Sequence, residues 1–237
     1  MERPKVKWYK VLITNTIKIA LWFFAISILW VLIYKWVDPP ITHLMLKRKM
    51  EAFIDGKPHE IQYKFVAFEN VSSNLKMAVI AAEDQKFDSH FGFDFEAIDS
   101  AIDHNKRSKR KRGASTISQQ TAKNVFLWDG KNFIRKGLEA YFTLLIECIW
   151  GKERILEVYL NVAEMGNLTF GVEAASRRYF YKSAKATSLS EASAIAAILP
   201  NPLLFKVKSP TKYIIKKKTW IRNQYYALGG KKYLENL

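Results

Sequence analysis

Residues 19–34 read IALWFFAISILWVLIY, an apolar run broken only by Ser27. Extended to Val11 on one side and Val37 on the other, the run is long enough to cross a bilayer, which takes about 20 helical residues. Lys18 falls inside the longer version, where a Lys near a helix end reaches the headgroups by snorkelling. Trp8, Tyr9, Tyr34 and Trp36 bracket the run as interfacial aromatics do, and Pro39-Pro40 stops the helix. A buried core helix would carry a polar stripe, and none is present. A cleavable signal peptide needs small residues at its cleavage site, which residues 35–40 do not offer. A membrane anchor is therefore the reading the run favours, with membrane lipid as a partner.

Charge bounds the rest. The 237 residues carry 38 Lys+Arg against 22 Asp+Glu, a net charge of +16. Setting aside residues 1–40 leaves 32 basic and 20 acidic residues, so the body is still +12. Such an excess asks for an anionic partner: nucleic acid, a membrane surface or a phosphorylated substrate. Arg3, Lys5, Lys7, Lys10 and Lys18 precede the apolar run, while Lys35, Lys47, Arg48 and Lys49 follow it. This asymmetry slightly favours an inside N-terminus and an outside body. One Cys excludes a disulfide scaffold and any CxxC motif, and four scattered His (43, 59, 90, 104) leave a zinc site short of its usual ligands.

Residues 60–69 place Ile61, Tyr63 and Phe65 at alternate positions, the period of a strand or extended segment. From there on the pattern is helical. Ser72 or Ser73 can cap a helix through Leu75, Val79 and Ala82 that delivers Glu83 and Asp84 at its end. Thr116–Gln119 and Ser188–Glu191 have capping-box spacing, and Pro200 ends the second of these helices. Residues 132–150 put Ile134, Leu138, Tyr141, Phe142, Leu145, Cys148 and Ile149 on one face, and 153–163 do the same with Ile155, Leu156, Tyr159, Leu160 and Ala163. The expected body is a mainly helical domain over 41–237, behind a tail and anchor over 1–40.

Three stretches carry groups suited to chemistry. The first, EDQKFDSHFGFD (83–94), gathers ionisable groups at a helix end, and its apolar approach would desolvate Glu83, as a proton-transferring carboxylate requires. The same spacing suits an N-cap and salt-bridge cluster. A metal held by Asp84, His90 and Asp94 lacks an apparent fourth ligand. The second is the basic run KRSKRKR (106–112), which by itself also suits a solvated loop or a nucleic-acid patch. It leads into GASTISQQTAKN (113–124), where a helix N-terminus, hydroxyls and amides make an anion and sugar-hydroxyl site, with Gln119, Gln120 and Lys123 able to share a face. The third is RKGLEA (135–140). Its Arg135–Glu139 pair is either a surface salt bridge or a second carboxylate at a cleft wall.

With KERILEVYLN (152–161) and GVEAASRRYF (171–180), these make five collinear motifs that resemble the family 51 peptidoglycan glycosyltransferases, most closely their stand-alone biosynthetic members. The helix LSEASAIAAILPNP (189–202) supports the likeness, which covers about half of the body. Departures lie at Lys131 and its loop, and at Asn167-Leu168.

The resemblance implies a lysozyme-like helical fold and polymerisation of lipid II on the outer, periplasmic face of the cytoplasmic membrane. Glu83 matches the family's general base, acting on the 4-hydroxyl of the acceptor GlcNAc. That oxygen displaces undecaprenyl diphosphate from the lipid-linked growing chain with inversion. Glu139 matches a second essential acid that orients a metal, a basic residue or the diphosphate. Lys123, Arg135 and Lys136, with the 106–112 run, would meet the diphosphate. Ser115, Thr116, Gln119, Gln120 and Asn124 would bind sugar and phosphate oxygens. Asp84, Phe87 and His90 would shape the catalytic loop. Glu157, Tyr159 and Asn161 suit buried support, with a sugar contact as the alternative. No cofactor is required, though a divalent cation (Mg or Mn) is compatible with the chemistry. Cell-wall synthesis and division proteins are the implied protein partners.

No Ser-x-x-Lys domain follows, so no transpeptidase activity is expected. Two rival classes share these features. A lysozyme-like lytic enzyme would use a Glu after a helix but needs no diphosphate site. A tethered basic module would draw on the 106–112 run and the Lys/aromatic tail from Tyr213 to Tyr233, and would survive loss of Glu83. The motifs favour the transferase, so no nucleic-acid partner is expected.

Overall fold

The computed structural model describes residues 8–108, 113–130 and 132–237. The basic run therefore reaches only as far as Ser108 within the described residues, and Lys131 lies outside them.

The chain divides between Val37 and Asp38. The first unit is the helix α1 (Trp8–Trp36), the one described helix long and apolar enough to cross a membrane. Its lone polar residue in the apolar run, Ser27, donates its hydroxyl to the Phe24 carbonyl at 3.0 Å, so the helix presents no unsatisfied group there.

The second unit is mainly helical, with nine further α-helices among the described residues. They are α2 (His43–Ile54), α3 (Ser73–Glu83), α4 (Phe95–Arg107), α5 (Ile117–Phe126), α6 (Phe133–Ile149), α7 (Lys152–Val162), α8 (Gly171–Phe180), α9 (Leu189–Ile198) and α10 (Lys212–Ala227). A small sheet joins β1 (Gln62–Tyr63), β2 (Glu164–Gly166) and β3 (Thr169–Phe170). Its middle strand β3 runs parallel to β1 and antiparallel to β2. Gln62 faces Thr169 and Tyr63 faces Phe170.

Local chemistry sets the helix starts. Ser72 caps α3, accepting from Leu75 N, while Thr116 and Ser188 open α5 and α9 with full capping boxes. Two groups of helices build the core. One packs α3 against α9 and α10, and the other packs α5 against α6 and α7. Leu75, Met77, Ile80, Ile117, Ile146, Ile155 and Leu156 are fully buried between them. The first group carries the end of α3 and the second carries α5, so their junction sets Glu83 against the α5 N-terminus.

Two expectations are corrected. The alternating stretch 60–69 forms a strand only over Gln62–Tyr63. Beyond it, both backbone groups of Val66 are taken by the Asn161 side chain at 2.9 Å, and Phe68–Asn70 turns as a 3₁₀ helix. Of the apolar stripe expected on α6, Phe142 alone is buried. Ile134 is 77 % exposed and Cys148 is exposed, whereas Arg135, Glu139, Phe142, Thr143, Ile146 and Glu147 point inward. Period alone located the helix but not its inner side, because the charged inner residues are paired within the fold.

Candidate active site

The site begins where α3 ends. Glu83 is the last residue of the helix and is half-buried, lining an open groove of about 370 Å³ with Ser115, Thr116 and Trp220. Burial pushes its carboxyl above the usual range. The Gln120 amide, the Lys217 ammonium and Lys123 pull the other way, while Asp84 adds to the rise. Gln120 Nε2 donates to Glu83 Oε2 at 3.0 Å, and Gln120 Oε1 accepts the Tyr159 hydroxyl at 3.2 Å. The amide is thus fixed from behind by a buried tyrosine, which leaves its N–H aimed at the carboxylate. The neighbouring acid charges hold the Tyr159 phenol protonated, its own burial more so.

Asp84 has a different task. Its Oδ2 accepts Ile117 N at 2.9 Å, and both its oxygens lie 3.0 Å from His90 Nε2. A buried carboxylate at the start of α5 complements the helix dipole and ties the loop after Glu83 to that helix. Phe87 is fully buried, and Asp94 caps α4 through Ala97 N at 2.9 Å. These contacts hold the segment after Glu83 in place. Gly92 sits at φ +79°, and a Cβ there would lie 2.7 Å from Thr143 Cγ2, so the loop closes over α6 only with glycine.

On α5, Thr116 and Gln119 are buried in the helix cap, and Thr116 Oγ1 also donates to Gly92 O at 2.7 Å. Both side chains hold the cap and the loop together, and Thr116 also lines the groove, whereas Gln119 does not. Ser115 is exposed at the groove, and Asn124 is half-buried on the last turns of α5. Lys123 is half-buried, and no carboxylate among the described residues forms an ion pair with it. Burial depresses its ammonium; Glu139 and Asp129 offset this, while Arg135 and Lys136 reinforce it.

Glu139 turns inward from α6 and is 3 % exposed. Arg135 Nη1 donates to one oxygen at 2.7 Å and Lys136 Nζ to the other. The Arg135 backbone is in turn capped by Asn132, and its Nε donates to Gly130 O at 2.7 Å. The pair is buried, so it is not a surface salt bridge. Both carboxylate oxygens already meet cations, and among the described residues no group of three His, Cys, Asp or Glu is placed to hold a metal.

The α5 helix therefore links two charged groups of residues: Gln120 hydrogen-bonds Glu83, and Lys123, one turn on, lies within electrostatic reach of Glu139, Arg135 and Lys136. The family model described as transglycosylase matches residues 49–226, most of the chain. The chain belongs to the transglycosylase family. Its fold is accordingly the lysozyme-like helical one. A biosynthetic peptidoglycan transglycosylase of Pseudomonas savastanoi pv. phaseolicola is 50 % identical over 226 residues, covering 95 % of this chain and 96 % of that protein. The protein of the same name from Pseudomonas fluorescens is 49 % identical over 228 residues, 96 % of this chain and 95 % of its own. That of Pseudomonas entomophila is 50 % identical over 217 residues, 92 % of each.

Some residues that pack around Glu83 and its loop carried no local signal. Lys217, on α10, bears on Glu83 more strongly than Lys123 does, yet in sequence it is one of three consecutive lysines. Lys152 donates to Glu147 Oε1 at 2.7 Å and to His90 O, and Ser118 donates to the same Glu147 oxygen, bracing the loop beneath α5. Tyr233, near the C-terminus, accepts Asp88 N at 3.0 Å and lies 2.8 Å from Asp88 Oδ1. Asn161 is fully buried and Glu157 half-buried, and Glu157 Oε1 accepts Phe68 N at 2.7 Å.

Proposed function

We propose that this chain polymerises lipid II into β-1,4-linked glycan strands, with Glu83 as general base. The 4-hydroxyl of the acceptor GlcNAc loses its proton to Glu83 as its oxygen bonds to the anomeric carbon of the lipid-linked growing chain. The bond from that carbon to the diphosphate oxygen breaks, the α linkage inverts to β, and undecaprenyl diphosphate leaves with the electron pair. An inverting displacement needs a base on the acceptor side and charge stabilisation opposite it. Here the leaving group is a diphosphate, so fixed cations serve where a poorer leaving group would need a strong acid.

The observation that carries this reading is the double reach of α5, which hydrogen-bonds Glu83 through Gln120 and holds the half-buried Lys123 within electrostatic reach of Glu139, Arg135 and Lys136. Glu139 acts by holding Arg135 and Lys136 toward the diphosphate. Asn124 and Ser115 contribute contacts to substrate oxygens. No cofactor enters, and a chelator control decides whether the diphosphate recruits a divalent cation. The N-terminus lies in the cytoplasm and the catalytic unit outside, supported by the basic residues ahead of α1 and by where the substrate is polymerised. Cell-wall synthesis and division proteins are the partners this placement would offer.

The test is incubation of purified full-length chain with lipid II, followed by separation of products. Long glycan with release of undecaprenyl diphosphate supports the reading. Cleavage of preformed glycan, with no polymer made, would overturn it in favour of a lytic enzyme.

A further inference from the structure

The groove beside Glu83 has an uneven lining. Ala82, Ala97 and Ala114 give it small walls, four acids with Gln85 and Lys86 edge it, and Trp220 is the one aromatic side chain among its described lining residues. Trp220 is 44 % exposed, although it sits on α10, a helix packed against α3 and thus against the element that ends in Glu83. Lys217 lies one turn earlier on α10, so the helix brings both residues to the base. An indole left half in water forgoes burial free energy of about 25 cal/mol per Å² of apolar surface. Beside a sugar-activating carboxylate, that surface is complementary to one kind of ligand: a pyranose, whose C–H face is apolar and whose rim is polar.

We propose that Trp220 is the stacking platform for the acceptor sugar, setting its 4-hydroxyl toward Glu83. The inference rests on the glycosyl-transfer reading and names a binding residue that the motifs do not contain. A flat ring on one side restricts the sugar to rotation and sliding in one plane, and the small alanine walls fix the slide. That leaves few poses, among which the reacting oxygen meets the base. The platform touches acceptor before and during transfer alike, so its loss falls on KM more than on kcat.

The experiment compares Trp220→Leu with Trp220→Phe in the full-length chain, since both keep apolar bulk while only Phe keeps a ring. Initial polymerisation rates against lipid II concentration are expected to give a KM raised about tenfold for Leu and at most about threefold for Phe. The acid limb of the pH profile stays in place, because Glu83 is untouched. Leu and Phe with equal KM, or Leu within twofold of the unsubstituted chain, would overturn the platform. A second readout is independent of turnover. The Trp220 indole N–H resonance, identified by its loss in Trp220→Phe, is followed on titration with the soluble GlcNAc–MurNAc disaccharide. A saturable shift supports stacking, and an unmoved resonance at saturating disaccharide overturns it. If the unsubstituted chain made no polymer, the transfer reading would fall, whereas the indole titration would still decide whether a sugar sits on Trp220.

Discussion

Gln120 and Glu83 are joined by a 3.0 Å hydrogen bond from the amide Nε2 to the carboxylate Oε2, across a sequence separation of 37 residues. The bond favours the ionised base that burial disfavours. It also fixes which oxygen is left free for substrate, because only one of the two is engaged by the amide.

Removing that donor should therefore displace the acid limb of activity. In Gln120→Leu the carboxyl keeps its desolvation and loses its strongest opposing contact, so its pKa rises further. The half-maximal point on the acid side of kcat/KM should move to higher pH, with less change on the alkaline plateau. An acid limb that stays in place would contradict the assignment of Glu83 as the titrating base.

The raised Glu83 carboxyl also has a stability consequence. A group whose folded pKa lies above its unfolded value binds protons more tightly when folded, so stability is lost as pH rises from the ordinary carboxylate range through the raised value. Glu83→Gln, a neutral isostere, should consequently raise Tm at neutral pH. The gain is about 1.4 kcal/mol per unit of displacement, or about 2–4 °C per kcal/mol for a domain of this size. The advantage should vanish below the ordinary Glu range, where both forms are neutral. Thermal melts at pH 4 and pH 7.5 check it, and an equal difference at both would refute the coupling.

At the cationic end, Lys123→Ala should weaken lipid II binding by about 10–100-fold, the equivalent of a lost charged hydrogen bond of about 1.5–3 kcal/mol. Glu139→Gln should leave Arg135 and Lys136 in place but loosely held. It is expected to lower turnover more than affinity. Equilibrium binding of lipid II set beside single-turnover rates separates the two, and unchanged affinity in Lys123→Ala would move the diphosphate site elsewhere.

Much of this site was legible in the sequence, for local reasons. Capping boxes at Thr116 and Ser188 are contiguous patterns, and the end of α3 at Glu83 follows from Ser72 and the apolar run between. What was not legible depends on distant parts of the chain meeting. Lys217, Trp220 and Tyr233 read as part of a Lys/aromatic tail with no tie to Glu83 until α10 packs on α3, and Tyr233 reaches the loop after Glu83 from 145 residues away. The same is true of Thr116 and Gln119, whose residue types suit sugar binding but whose hydrogen bonds go to the cap. The inner face of α6 misled the period because its charges are satisfied internally, so polarity there did not mean exposure.

One backbone position behind the site should be equally intolerant. Gly171 opens α8 at φ +80°, and a Cβ there would sit 2.4 Å from the Asn161 carbonyl oxygen, on the residue whose side chain holds Val66. Gly171→Ala should cost more than about 2 kcal/mol, through both the strained φ and the clash, and lower Tm by several degrees. A melt unchanged from the parent chain would show that α8 starts differently.

The most direct measurement is polymerisation of lipid II by the unsubstituted chain and by Glu83→Gln, each with lipid II binding measured on the same preparation and with a chelator control. The expected result is glycan from the first and a loss of at least about 10²-fold in rate for the second, with affinity for lipid II retained. Near-normal turnover by Glu83→Gln would contradict proton transfer at this carboxylate.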